Sequence, residues 1–227
     1  MAIELDPRMI LPVGALEQHG PHLPLGTNMR IAARVAREVS ERLGILRAPA
    51  FAYGTTNDAG PYPGAAGLRR KTLHRSVNEL LGQWEADGIR EFLIISAHRY
   101  EPHLEALLMA LTRKAVSSIY DLYQVDVSDV LEGNPEHEHA GELETSLMLH
   151  LAPELVRSDR IRDFVPTGQT LRKYTRRRAP TPPMESEGTL GAPSRATAAK
   201  GAAIFDRYVA ALCATVSRSS NRASAAG

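Results

Sequence analysis

The chain has 227 residues, 43% hydrophobic and 23% charged, the proportions of an ordinary globular protein long enough to bury a core without staples. Its 27 basic and 26 acidic residues nearly cancel, which removes the electrostatic case for nucleic acid or a membrane surface as a partner. A single cysteine, Cys213, excludes an internal disulfide and a thiolate metal cluster, and no apolar stretch is long enough to cross a membrane.

In chain order, residues 1–7 lack the basic start and apolar core of a signal peptide, so a cytoplasmic location is expected. Residues 10–13 are an apolar run stopped by Gly14, expected as a buried strand that feeds the Gly-, Pro-, His- and Glu-rich loop 14–27. Asn28 opens a segment carrying Ile31, Val35, Val39 and Leu43, closed by Gly44, which predicts an amphipathic helix. A second strand is expected over 45–53 and a loop over 54–67. The spacing of Leu73, Val77, Leu80, Leu81 and Trp84 predicts a helix over 72–87, with Gly88 as its stop. Residues 91–98 form a continuous apolar run of the kind found in a central strand covered on both faces, ending at His98. A helix over 104–115, a strand over 118–125, a helix over 142–150 and an amphipathic helix over 197–216 complete the pattern. The Pro-rich span 165–193 shows little periodicity; its cluster of Arg172, Lys173, Arg176, Arg177 and Arg178 reads as a solvated loop, with a site for an anionic ligand or an acidic neighbouring subunit as the alternative. The tail 217–227 is expected to be disordered.

Strands alternating with helices predict an α/β fold with a mostly parallel sheet covered on both faces. In such folds ligands gather at the carboxyl ends of the strands. Three groups of residues there could carry chemistry. Glu17 and His19, two apart in a loop, can face the same side and each offer one ligand atom. His98 ends the central strand, with Glu101 and His103 just after it. The stretch 136–144 holds two histidines and four glutamates, of which Glu144 lies in a first helical turn, where a carboxylate is favoured by the helix dipole in any case. Carboxylate and imidazole without thiolate suit Zn²⁺, Mn²⁺ or Fe²⁺ and do not choose between them.

The run Leu11-Pro-Val-Gly-Ala-Leu-Glu17-Gln-His19-Gly-Pro-His-Leu-Pro-Leu-Gly-Thr-Asn28 closely resembles the creatininase (creatinine amidohydrolase) family. Tyr53-Gly54, Tyr62-Pro63-Gly64, His139-Ala-Gly-Glu-Leu-Glu144-Thr-Ser146 and Gly188-Thr-Leu-Gly191 with Ala196-Thr-Ala-Ala-Lys-Gly201 follow in the family's order. The resemblance implies a three-layer α/β/α fold, one such domain over 1–216, and a site for one or two Zn or Mn ions, with Fe as a third candidate. It implies metal ligands at Glu17, His19, Asn28, His98 and Glu144, a proton-transfer or substrate-contact role for His139, and a homo-oligomer. The activity implied is metal-dependent hydrolysis of a C–N bond in a small amide, cyclic amide or formamide. A ring-closing or condensing enzyme on the same scaffold, or a metal-depleted binding protein, are the alternatives.

Two departures stand out. The family usually has Asp, bridging two metals, where this chain has Asn28. The family's Asn-Gly-His turn reads Ser96-Ala97-His98-Arg99-Tyr100-Glu101 here, with Glu101, a candidate catalytic group, one position later than the glutamate of creatininase.

Overall fold

The computed structural model describes residues 6–56, 62–110, 112–133, 138–165 and 182–225. The basic cluster at 172–178, and Glu136 and His137 of the third candidate group, lie outside the described residues.

Four parallel strands, β1 (Arg8–Val13), β2 (Leu46–Arg47), β3 (Glu91–Ser96) and β4 (Val116–Asp121), form one sheet in the order β2-β1-β3-β4. Among the described residues, five α-helices accompany them: α1 (Thr27–Leu43), α2 (Arg70–Ala86), α3 (Glu101–Leu108), α4 (Glu142–Leu151) and α5 (Ala198–Ala225). Side chains of β1 and β3 point alternately to the two faces. Ile10, Leu93 and Ile95 pack against Ile31 and Val35 of α1, Leu147 of α4 and Tyr208 of α5. Leu11, Val13, Phe92 and Ile94 pack against Leu73, Val77 and Leu81 of α2 and Leu107 of α3. The result is the expected α/β/α sandwich, and the unbroken apolar runs of β1 and β3 follow from burial on both faces.

Register fixes where the chain can do chemistry. Val13 pairs with Ser96, and Ser96 with Asp121, so β1, β3 and β4 end side by side. The chain runs from β1 through α1 on one face to β2, then through α2 on the other face to β3. The winding therefore reverses between β1 and β3, where an open α/β sheet leaves a crevice at its carboxyl edge.

Four elements differ from the sequence expectation. The strand expected over 45–53 is regular only at Leu46–Arg47, although Ala48 N–H donates to Ile10 and Phe51 N–H to Pro12. Pro49 has no N–H to offer between them, so the ladder is interrupted there. The helix expected over 104–115 starts at Glu101, with Pro102 in its first turn, and stops at Leu108. Beyond it, the Glu85 carboxylate takes the N–H groups of Arg113, Lys114 and Ala115 at 2.6–3.0 Å, a turn incompatible with a continued helix. The strand expected over 118–125 starts at Val116 and gives way after Asp121 to a 3₁₀ turn, begun by the Asp121 side chain accepting from Tyr123 N–H. At the C-terminus, α5 runs to Ala225 rather than stopping at Val216. No helix among the described residues is long and apolar enough to cross a membrane.

Candidate metal centre

Glu17 and His19 lie on the loop leaving β1, His98 on the turn leaving β3, and Asn28 in the first turn of α1. Gly14 lets α1 come this close: a Cβ there would lie 2.4 Å from the backbone of Met29. The helix start is thereby pressed against the end of β1, and Asn28, which is buried, sits between the two histidines. Its Oδ1 is 3.0 Å from His19 Nε2, while its Nδ2 donates to Glu17 Oε2 at 3.1 Å and faces His98 Nδ1 at 2.9 Å. Glu144 joins from α4, its Oε1 3.6 Å from His19 Nε2, and Glu17 Oε2 is 3.2 Å from His98 Nδ1. The five residues expected as metal ligands are thus brought together.

Backbone groups fix the rings. His98 Nε2 donates to the Thr55 carbonyl at 2.9 Å, and His19 Nδ1 to the Glu17 carbonyl at 3.1 Å. The Glu144 carboxylate accepts from the Tyr123 hydroxyl and, at 2.6 Å, from Ala140 N–H. Ala140 holds φ at 52°, left-handed for a non-glycine residue, a strain accepted where it aims an N–H at Glu144. His139 is strapped to the C-terminal Gly188-Thr-Leu-Gly191 segment by a pair of backbone bonds with Leu190, at 2.8 and 2.9 Å. Its ring centre is 4.7 Å from that of His19, and one ligand atom each from Glu17, His19 and His139 falls within 4.8 Å of the others.

Glu101 is solvent-exposed in the first turn of α3, and no hydrogen bond or ion pair among the described residues ties it to this cluster. Tyr123 and Thr55 are the residues that sequence reasoning missed. Tyr123 owes its place to the turn after β4. Thr55 acts through its backbone, so its side chain gave no signal, although the Tyr53-Gly54 motif marks the spot. A Cβ at Gly54 would lie 2.4 Å from the Gly14 carbonyl oxygen and 2.6 Å from the His103 ring. His103 is buried, accepts from Thr55 N–H at 3.2 Å and leaves its Nε2 without a hydrogen-bond partner among the described residues.

Burial works to raise the carboxyl pKa values and lower those of the imidazoles, and the close pairs reverse this. Burial opposes ionisation of Glu17, yet His98, His139 and His19 hold it well below the carboxylate range. Burial likewise opposes ionisation of Glu144, which His19, His139 and Tyr123 bring down to about 2. Burial would lower His19, but Glu144 and Glu17 raise it to about 9. His139 goes the other way, burial pushing it below the ordinary histidine value. Glu138, whose carboxylate accepts the N–H groups of Glu142 and Leu143 at the start of α4, is raised by burial to about 7.

Zn²⁺ or Mn²⁺ binds acceptor atoms, and the two halves of the cluster differ in what they offer it. The half formed by His19 Nε2, Glu144 and Asn28 Oδ1 fits: once His19 gives up its second proton, three acceptors converge, as around a cation. The half formed by Glu17 and His98 does not, because the Asn28 amide hydrogens point into it.

A family model described as creatinine amidohydrolase matches residues 2–216. The mycofactocin precursor peptide peptidase of Mycobacterium tuberculosis is 33% identical over 221 residues, spanning 90% of this chain and 82% of that protein. The creatinine amidohydrolase of Pseudomonas putida is 30% identical over 226 residues, spanning 87% and 84%. Two solved creatininases, one with Mn and one mutant of the Zn-Zn type, each share 25% identity. The first has TM-score 0.78 over 96% of this chain and 93% of its own, the second 0.76 over 93% and 90%. The match over nearly the whole chain, joined to a buried carboxylate–imidazole cluster at the sheet's carboxyl edge, places this chain in the creatininase family, whose structures include zinc and manganese forms.

Proposed function

We propose that the chain is a metal-dependent hydrolase that cleaves the C–N bond of a small amide, a cyclic amide or a formamide. One observation carries the reading: two carboxylates, the partly buried Glu17 and the buried Glu144, face two imidazoles at the strand ends, with Glu144, His19 Nε2 and Asn28 Oδ1 turned on one another as if around a cation. A divalent ion, when bound, polarises a carbonyl and lowers the pKa of water towards about 7. His19 and Glu144 would hold it, with Asn28 contributing Oδ1 only.

The remaining work falls to the chain's own groups. Tyr123 and Ala140 N–H keep the Glu144 carboxylate ionised and fixed in direction. His139 is suited to carry a proton. Its Nε2 lies 2.7 Å from the Gln18 carbonyl, an acceptor, and 2.9 Å from the Gln18 side-chain nitrogen, a donor. A hydrogen bond therefore survives whether Nε2 is protonated or bare. Such an imidazole can take up a proton and deliver it to the departing nitrogen. Glu101, exposed at the start of α3, is left the lesser role of a carboxylate at the rim. Assembly into a homo-oligomer belongs to the same reading, and light scattering of the purified protein checks it.

The test is hydrolysis of creatinine, an N-formyl amine and a short peptide by protein loaded with Zn²⁺ or Mn²⁺. Turnover of either of the first two, abolished by chelation, supports the reading. A second reading, cleavage of a peptide, is favoured by the 33% identity to a relative named as a peptidase, and turnover of the peptide alone would select it. Bound metal with no turnover would leave a binding protein. His139→Ala should lower kcat by about 10²–10⁴-fold with metal content unchanged. Loss of metal from that variant would instead make His139 a ligand, as its grouping with Glu17 and His19 permits.

A further inference from the structure

The position of Asn28 divides the site. We propose that its amide group fills the Glu17–His98 half in place of a second ion, leaving one divalent-cation site bounded by His19 Nε2, Asn28 Oδ1 and Glu144 Oε1. The inference rests on the metal-dependent reading above and goes further by placing and counting the ions.

Hydrogen positions follow from partners that can only accept. His98 gives its Nε2 proton to the Thr55 carbonyl, so a neutral ring turns a bare Nδ1 towards Asn28. Glu17 Oε2 is also an acceptor. The two hydrogens on Asn28 Nδ2 meet these two acceptors at 2.9 and 3.1 Å, and the half is complete without a metal. On the other side, His19 gives its Nδ1 proton to the Glu17 carbonyl, so a neutral ring turns a bare Nε2 inward. There it meets Asn28 Oδ1 at 3.0 Å and Glu144 Oε1 at 3.6 Å, both acceptors. With that ring neutral, three acceptors meet on one point and need a cation; the second proton that Glu144 and Glu17 hold on His19 fills this place until a divalent ion displaces it.

Turning the amide over does not restore a second ion. Oδ1 would then face Glu17 and His98, and the N–H groups would fill the His19 half instead. An amide has one acceptor end and one donor end, where an aspartate offers two oxygens. The observed direction is the better one, because Glu144 already accepts from Tyr123 and Ala140, while Glu17 takes an N–H from Asn28.

Equilibrium dialysis against Mn²⁺ or Zn²⁺ alone, followed by elemental analysis, tests this, with circular dichroism to show that each variant is folded. The unaltered chain should hold one ion per chain. His98→Ala should still hold one, because His98 serves only the half that the amide fills. Glu144→Gln, which keeps an acceptor for Ala140 N–H, should weaken the ion by tenfold or more. Asn28→Asp should hold two, and adding His98→Ala to it should return the count to one. Two ions in the unaltered chain, or an ion lost from His98→Ala and kept in Glu144→Gln, would overturn the inference and leave the metal-dependent reading standing. Metal taken up by Asn28→Asp but not by the unaltered chain would also overturn it, since a proton on His19 would then be the cation. No metal in any form would remove the inference and the metal-dependent reading together.

Discussion

Two buried histidines near the cluster, His22 and His103, are kept neutral by the fold. His22 is fully buried, and its Nε2 lies 2.9 Å from the Thr145 hydroxyl, which can serve as donor or acceptor. Burial lowers it to about 4 from an ordinary value of 6.5. The unfolded chain therefore binds a proton that the folded chain refuses between those values, and stability contributed above pH 6.5 is lost as the pH falls through that window. The loss approaches about 3 kcal/mol by pH 4 from this group alone. Urea unfolding at pH 7, 5.5 and 4.5 should show the decline, and His22→Gln should flatten it. An equal slope in the variant would assign the acid sensitivity elsewhere. Single residues also mark where reading the sequence stops. Glu17, His19, Asn28, His98 and Glu144 were legible as a ligand set because their residue types and motifs carry the information. What Asn28 does with its two ends was not, since that depends on which tautomer each neighbouring ring takes from a backbone carbonyl.

Among the elements, β1, α1, β3 and α4 were legible because each is stabilised by its own pattern. Continuous apolar runs make the two central strands, and Ile31, Val35 and Val39 make one face of α1. The ends of β2, α3 and β4 were not, because distant groups set them: Pro49 interrupts one ladder, Glu85 captures the backbone beyond α3, and the Asp121 side chain turns the chain after β4. The third candidate group also divides by element. Glu144 faces the site, whereas Glu142, equally buried, accepts from Lys200 Nζ of α5 and from the backbone of Glu132 and Gly133. It is a clamp between α4, α5 and the preceding loop. The two helices cross at Gly201, where a Cβ would lie 1.9 Å from the Ser146 carbonyl oxygen. Gly201→Ala must push them apart, at a cost of about 1–3 kcal/mol. Its melting temperature should fall while its bound metal per folded chain stays at the unaltered level. Coupled loss of metal would mean that the crossing also sets the position of Glu144.

At the scale of the molecule, the order β2-β1-β3-β4 puts the reversal of winding between β1 and β3, and the cluster is delivered to that edge by the loop after β1, the start of α1, the turn after β3 and α4. Alternating strands and helices announced the layers and the edge. They did not announce that the chain between β2 and α2 enters by its backbone at Thr55, or that the C-terminal strap at Leu190 holds His139. Both are contacts between segments far apart in sequence whose side chains are unremarkable. The central claim is that this edge holds a divalent cation between His19 and Glu144. Anomalous scattering at the manganese edge, from crystals grown with Mn²⁺, tests it most directly. One peak within bonding distance of His19 Nε2 and Glu144 is expected. A cluster without a peak, or a peak found only between Glu17 and His98, would contradict it.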